Sequence, residues 1–185
     1  MADDPDLALV RALQTGDDLA LNMLMSRHRE PLFRFLFRYT RNEADARDLA
    51  QEAFVRAYFH IGKFKPGAKF GTWLFQIGLN LSRDHARSKH GRRALRHDPL
   101  AEAGDLEPIE PAADPGTGAE MAEKLALVQQ AIDGLPHGLK AAFLLTVIEE
   151  RSQKDAAEIL GVTVKAVETR VYRARQLLEQ AMERR

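Results

Sequence analysis

Ala166, Thr169, Arg170 and Arg173 stand at i, i+3, i+4 and i+7, with Lys165 beside them, so a helix over this stretch presents one small, hydroxylic and cationic face. Such a face fits the DNA major groove: Ala and Thr can touch thymine methyls, and Arg can reach guanine edges or phosphates. Val164, Val167, Val171 and Ala174 supply the apolar side expected to face inward. Upstream, Ser152 followed three residues later by Asp155 makes a capping box for a short helix through Leu160; Gly161 permits a turn, and Thr163 can cap the helix bearing the basic face. Two capped helices around a glycine form a helix-turn-helix. Taken alone, the same spacing also describes a solvated charged face on a small bundle. Glu168 opposes a DNA role electrostatically, although a carboxylate can accept from a cytosine amino group, and Lys165, Arg170, Arg173 and Arg175 leave the helix positive.

A second basic surface lies earlier. Arg83, Arg87, Lys89, Arg92 and Arg93 face a single acid, Asp84, and the loop before them, "KFKPGAKFG", carries Phe64, Lys65, Lys69 and Phe70. Cations interleaved with rings suit single-stranded nucleic acid, where bases stack and charges follow the backbone. Loop phenylalanines equally plug the edge of a core. Asn80, Arg83, Asp84 and Arg87 share one helical face, on which Asn80 could bond a base edge. A third polar surface, Asp45, Asp48, Gln51, Glu52 and Arg56, is acidic and amide-rich, and faces solvent or a partner that is not DNA.

Catalysis finds no support. The six histidines are scattered, Asp84 and His85 are adjacent and diverge on a helix, and no glycine-rich phosphate loop follows a strand. The expectation is a protein that is not an enzyme and needs no metal or other cofactor. The absence of cysteine excludes disulfides and thiolate metal sites, and no stretch approaches the roughly 18 apolar residues of a membrane span. "MADDPD" lacks a signal-peptide core, so the expected location is the cytoplasm without membrane insertion. The formal net charge is zero, but it is sorted along the chain: residues 1–92 hold 15 basic and 11 acidic groups, residues 93–119 hold 2 and 6, and residues 120–185 hold 10 of each.

These surfaces need helices to carry them, and the periodicities are helical throughout, with no convincing strand. Leu21, Leu24, Met25, Leu32, Phe35, Leu36 and Tyr39 supply one core, with Pro31 expected to start a turn or a new helix. Asn42 and Asp45 open the next helix, whose stripe is Ala46, Leu49, Ala50, Ala53, Phe54, Ala57 and Ile61. Thr72 is placed to cap a third, with Trp73, Leu74, Ile77 and Leu81 apolar. Farther on, Leu125, Val128 and Ile132 are expected buried in a helix stopped by Gly134 and Pro136, and Leu139, Phe143 and Val147 in the one after it. Between the halves, residues 98–120 hold four prolines and almost no large apolar residue, too little to offset ordering entropy. The expected fold is all-α: two small helical domains, 1–95 and 121–185, joined by a flexible acidic linker over 96–120, the C-terminal domain being the helix-turn-helix.

Together these pieces resemble the extracytoplasmic-function sigma factors of the bacterial sigma-70 family. "RNEADARDLAQEAFVRAY" looks like the family's polymerase-binding helix, "FGTWLFQIGLNLSRDHARSKHGRR" like its minus-10-reading helix, and "GLP…AAEILGVTVKAVETRVYRARQLL" like its minus-35-reading domain. The resemblance implies core RNA polymerase as partner through its beta-prime clamp helices and beta flap, promoter DNA both duplex and melted, and an anti-sigma factor. By position, Asp48, Gln51 and Glu52 would meet the clamp helices, within the surface that Asp45 and Arg56 extend. Asn80, Arg83, Asp84 and Arg87 would lie at the minus-10 element, with the loop from Lys63 to Gly71 helping to hold a flipped base. Lys165, Ala166, Thr169, Arg170 and Arg173 would meet the minus-35 element. The linker resembles the connector that threads the polymerase cleft. Gln76 and Leu79 stand where the family commonly has basic residues, and Glu168 where lysine is frequent. The alternatives are a stand-alone helix-turn-helix regulator and a helical adaptor without a DNA role.

Overall fold

The computed structural model describes residues 4–65, 67–96 and 118–183, and their side chains outside 89–96 and 118–120. Most of those residues are helical, and none of them forms a strand. The expected linker falls mainly on residues 97–117, outside the described ones.

In the N-terminal domain, α1 (Leu7–Gln14), α2 (Leu19–Thr40), α3 (Glu43–His60) and α4 (Phe70–Arg96) pack around Leu24, Leu32, Phe35, Leu36, Phe75 and Leu79, all fully buried. Contrary to expectation, Pro31 neither starts nor ends a helix but lies inside α2. A mid-helix proline costs about 3 kcal/mol, and here Ala20 and Leu24 before it and Leu32, Phe35, Leu36 and Tyr39 after it bury against the same neighbours, which outweighs that cost. Asn42 caps α3 as its type predicts, accepting from the Asp45 N–H at 2.8 Å. The expected stripe of α3 is buried, with Ile61 half-buried in the 3₁₀ turn Ile61–Lys63 that follows.

The start of α4 needs a correction. Thr72 does not cap it; the threonine is inside the helix, buried, with its hydroxyl unpaired. The helix starts two residues earlier, and the Phe70 N–H donates to the Asp4 carboxylate at 2.7 Å, a cap supplied from the opposite end of the domain. Asp6, also buried, accepts from Arg27 at 2.7 Å and sits 2.5 Å from His28 Nε2. The acidic N-terminus thus straps α2 to the start of α4. Asp4→Ala removes a cap worth about 0.5–2 kcal/mol, and urea unfolding should show that loss, whereas Glu30→Ala, at an exposed position of α2, serves as the control.

In the C-terminal domain, α5 (Gly118–Asp133), α6 (His137–Phe143, continued as a π turn over Leu144–Ile148), α7 (Gln153–Leu160) and α8 (Val164–Glu183) form a compact bundle. The expected caps are present: the Asp155 N–H donates to Ser152 Oγ at 3.0 Å, and the Ala166 N–H donates to Thr163 Oγ1 at 3.2 Å. Gly161 closes α7 at φ +67°, a conformation that favours glycine. Val167 and Ala174 are buried and Val171 half-buried, while Val164, in the first turn of α8, is exposed. Phe143 is buried with Leu139 and Val147 packed beside it.

The expected core of α5 is only partly right: Ile132 is buried, but Leu125 is 55% and Val128 41% exposed. They share with Met121 a face of α5 that no other element among the described residues covers. Sequence reasoning also missed Lys140, buried at 5% exposure, whose ammonium is neutralised by Asp133 at 2.7 Å. The domains meet where α7 packs on α4 and the π turn on α2.

Candidate nucleic-acid interface

The stripe Val167–Val171–Ala174 packs inward and thereby turns Lys165, Ala166, Thr169, Arg170 and Arg173 outward on α8. Lys165 is 86% exposed, and its ammonium pairs with Glu168 at 3.0 Å. Thr169 donates its hydroxyl proton to the Lys165 carbonyl at 2.9 Å, leaving its methyl and oxygen lone pairs for a partner. Arg170 is half-buried beside Gly138, at the start of α6, and Arg173 is exposed. Glu168 therefore takes up part of the charge of Lys165, and the two arginines carry most of the cationic character of this face.

On α4, Asn80, Asp84 and Arg87 are exposed and Arg83 is half-buried between Asn80 and Tyr39. Burial pushes the Tyr39 phenol above its ordinary pKa, and the nearby Arg83 charge pulls the other way. Arg87 lies 3.8 Å from Asp84. In the preceding loop, Lys65 is exposed and Lys69 donates to both Asp155 carboxylate oxygens, at 3.0 and 2.9 Å. Burial works to raise the Asp155 pKa, but the hydrogen bonds from Lys69 and Ser152 and the charges of Lys69 and Arg151 outweigh it, leaving the group below the carboxylate range. The pair is complete at neutral pH and fades as pH falls through that depressed value.

The loop rings require a correction. Phe64 is 5% exposed and Phe70 is fully buried, so neither offers a face to a base. Their centroids lie 5.5 and 6.1 Å from Trp73, and Phe70 lies 5.4 Å from the His28 ring, an aromatic cluster that closes the end of the core. Leu79 is fully buried too. A cation at that register would enter the core, so the departure at Leu79 leaves the outer face of α4 unaltered.

The acidic surface of α3 is split. Asp48 and Gln51 are exposed, Glu52 pairs with Arg56 at 2.7 Å, and Asp45 turns toward α4, 3.3 Å from His85. Beside Gln51 runs a groove of ≈ 1050 Å³ between α2 and α3, walled by Leu21, Met25, Phe33, Phe54, Val55 and Phe59. Sequence reasoning missed it. The signal was there in Val55 and Phe59, large apolar residues of α3 that lie off its buried stripe, at 41% and 75% exposure. Among the described residues, no group of three or more metal-ligating side chains comes together, and no helix is long and apolar enough to cross a membrane.

Comparison with known proteins follows the same division. Residues 24–92 match the family described as Sigma-70 region 2, and residues 125–178 match Sigma-70, region 4. The RNA polymerase sigma-H factor of Pseudomonas aeruginosa is 32% identical over 99% of this chain and 96% of its own length. The ECF RNA polymerase sigma-E factor of Haemophilus influenzae is 33% identical over 94% of this chain and 93% of its own. Among solved structures, CnrH in complex with the cytosolic domain of CnrY is similar at 31% identity, with a TM-score of 0.71 across 98% of both chains.

Proposed function

We propose a division of labour between the two domains of this chain, which belongs to the sigma-70 family and, within it, to the extracytoplasmic-function sigma factors. Its function is to direct promoter-specific transcription initiation by RNA polymerase. In our reading, core polymerase is held by the N-terminal domain through Asp48, Gln51, Glu52 and Arg56, with Asp45 at the margin, and its clamp helices seat in the apolar groove between α2 and α3. The beta flap takes the uncovered face of α5. The polar face of α4, Asn80, Arg83, Asp84 and Arg87, with Lys65 and Lys69 from the loop, contacts the minus-10 element as it melts. Lys165, Ala166, Thr169, Arg170 and Arg173 contact the minus-35 duplex.

The observation that carries this reading is the groove. An apolar trough beside an amide and acidic rim suits helices of a protein, and duplex DNA would gain nothing from it. A stand-alone DNA-binding regulator leaves it without a use. Every step is binding: capture of unpaired bases offsets the cost of opening the duplex, and no covalent chemistry is needed. Near-zero net charge is compatible with this, since polymerase shares the DNA contacts and each face needs only local cations. An anti-sigma factor would act by covering the groove and the α5 face, as a protein chain; CnrH, a relative, is solved with the cytosolic domain of CnrY bound.

Photo-crosslinkers placed at Asn80 and Thr169 test the assignment in the polymerase–promoter complex. Asn80 should label the melted strand near minus 10, and Thr169 the duplex near minus 35. Labelling of one element by both positions would contradict it. The Glu168–Lys165 pair adds a prediction: Glu168→Lys removes an acid and releases a cation, so promoter affinity rises about threefold to tenfold while choice among minus-35 variants relaxes. Unchanged selectivity across a minus-35 variant series would count against a role for Glu168 in readout.

A further inference from the structure

The loop that joins the 3₁₀ turn to α4 is held at both ends by one piece of chain. At its start, Gln14, the last residue of α1, donates its side-chain amide to the Ile61 carbonyl at 2.9 Å. At its end, one oxygen of the Asp4 carboxylate takes the Phe70 N–H at 2.7 Å. Asp4 is itself fixed. Its other oxygen accepts from the Asp6 N–H at 3.2 Å, and Asp6, 3% exposed, is clamped by Arg27 at 2.7 Å and His28 at 2.5 Å. Arg27 also donates to the Pro5 carbonyl at 3.2 Å. Next to Phe70, Gly71 packs so close to the His28 ring that a Cβ there would meet Cε1 at 3.0 Å.

Between its two ends the loop is open. Lys65 and Gly67 are exposed, the Ala68 N–H donates to the Lys65 carbonyl at 3.2 Å, and Gly67 takes φ +94°. Lys69 reaches the C-terminal domain, so within the N-terminal domain the anchors are Gln14 and Asp4. A loop fixed at both ends before a base arrives has less conformational entropy to lose on capturing it. The sign of the charge fits holding and not binding. Acids beside a DNA site repel phosphates unless they are turned inward, and here Asp4 is directed at the Phe70 amide and Asp6 is buried on two bases. Residues 4–14 also precede the stretch that matches Sigma-70 region 2, which begins at residue 24.

We propose that residues 4–14 are a splint for the minus-10 loop: Gln14 and Asp4 set the loop's shape from its two ends, so that base capture depends on two positioning residues that do not touch DNA. The effect on capture rests on the assignment of the loop from Lys63 to Gly71 to the minus-10 element; the splint itself does not. Because Phe70 opens α4, the same hold fixes where that helix starts relative to the loop, and with it the placement of Asn80 and Arg83 two to three turns on. Loss of the splint leaves the groove between α2 and α3 and the face of α8 as they are, so it slows opening without weakening attachment to polymerase.

The test uses the full-length chain, first free and then with core polymerase on a promoter it transcribes. In the free chain, Asp4→Ala with Gln14→Ala should speed amide exchange at Phe70 about threefold to thirtyfold. Quenching of Trp73, the one tryptophan of the sequence and a neighbour of Phe64 and Phe70, should rise with it. In the complex, the same variant should bind core polymerase as wild type does, while a fluorescent base analogue at the captured minus-10 position reports opening slowed about threefold to tenfold. Asp4→Asn keeps an oxygen for the Phe70 amide and should open at the wild-type rate where Asp4→Ala does not. Asn42→Ala removes a cap of the same kind from α3 and controls for lost stability, with opening unchanged. Exchange unaltered by the double variant, or opening slowed as much by Asn42→Ala, overturns the splint. If exchange rises and opening is not slowed, a photo-crosslinker at Ala68 separates the two failures. Labelling of the minus-10 strand keeps the loop where it is assigned and overturns the splint's effect on capture, and no labelling there shows that the assignment of the loop was the error.

Discussion

Val55→Asp combined with Phe59→Asp should lower run-off transcription by about two to four orders of magnitude while leaving the unfolding midpoint within a few degrees of wild type. Both side chains are exposed, at 41% and 75%, so the isolated chain loses little packing when they change. In the complex proposed here they line the trough that receives the clamp helices. Their loss removes apolar contact at the centre of an interface, and the two carboxylates must be desolvated to dock. Together these cost about 3–6 kcal/mol, which at 1.4 kcal/mol per decade gives the stated range. The split between an intact fold and a lost partner is the informative part. Asp48→Ala, on the exposed acidic side, should act in the same direction by about tenfold or less, as expected for a rim charge.

The second large effect falls on stability. Phe70→Ala empties a site that is fully buried among His28, Phe64 and Trp73, and should cost about 3–5 kcal/mol in urea unfolding. Against the roughly 5–15 kcal/mol that holds an ordinary domain, this is a large share, and the N-terminal domain should melt far earlier. A base-stacking Phe70 would give the opposite pattern: a change below about 0.5 kcal/mol in stability and a specific loss of promoter opening. The measurement therefore decides between core and DNA for a residue whose type and loop position fit both.

Features written within a few residues were legible in the sequence. The Asn42, Ser152 and Thr163 caps, the αL glycine at 161, the buried stripe of α3 and the outward face of α8 follow from local hydrogen bonding and a 3.6-residue period. What escaped depends on the far side of the fold. Nothing near Phe70 announces that Asp4 caps it, and Thr72, a better local candidate, is instead buried with its hydroxyl unpaired. Pro31 signals a break by its own chemistry, but burial on both sides of it decides otherwise. Leu125 and Val128 keep the period of a core helix while no described element covers them; an apolar face left for a partner, as proposed above for α5, has the same pattern as a core face. Phe64 and Phe70 show the converse ambiguity. The ion pairs joining the domains link residues as far apart as Arg38 and Glu149, and no spacing rule reaches that distance.

The central claim is that this chain brings RNA polymerase to promoters read at two elements. Its most direct test is run-off transcription by core RNA polymerase, with and without the protein, on a pool of randomised promoters whose productive members are identified by sequencing the transcripts. The account predicts protein-dependent transcripts from templates enriched in two elements at a fixed spacing. Transcription that does not depend on the protein, together with a sequence-specific shift of duplex DNA by the chain alone, would contradict it.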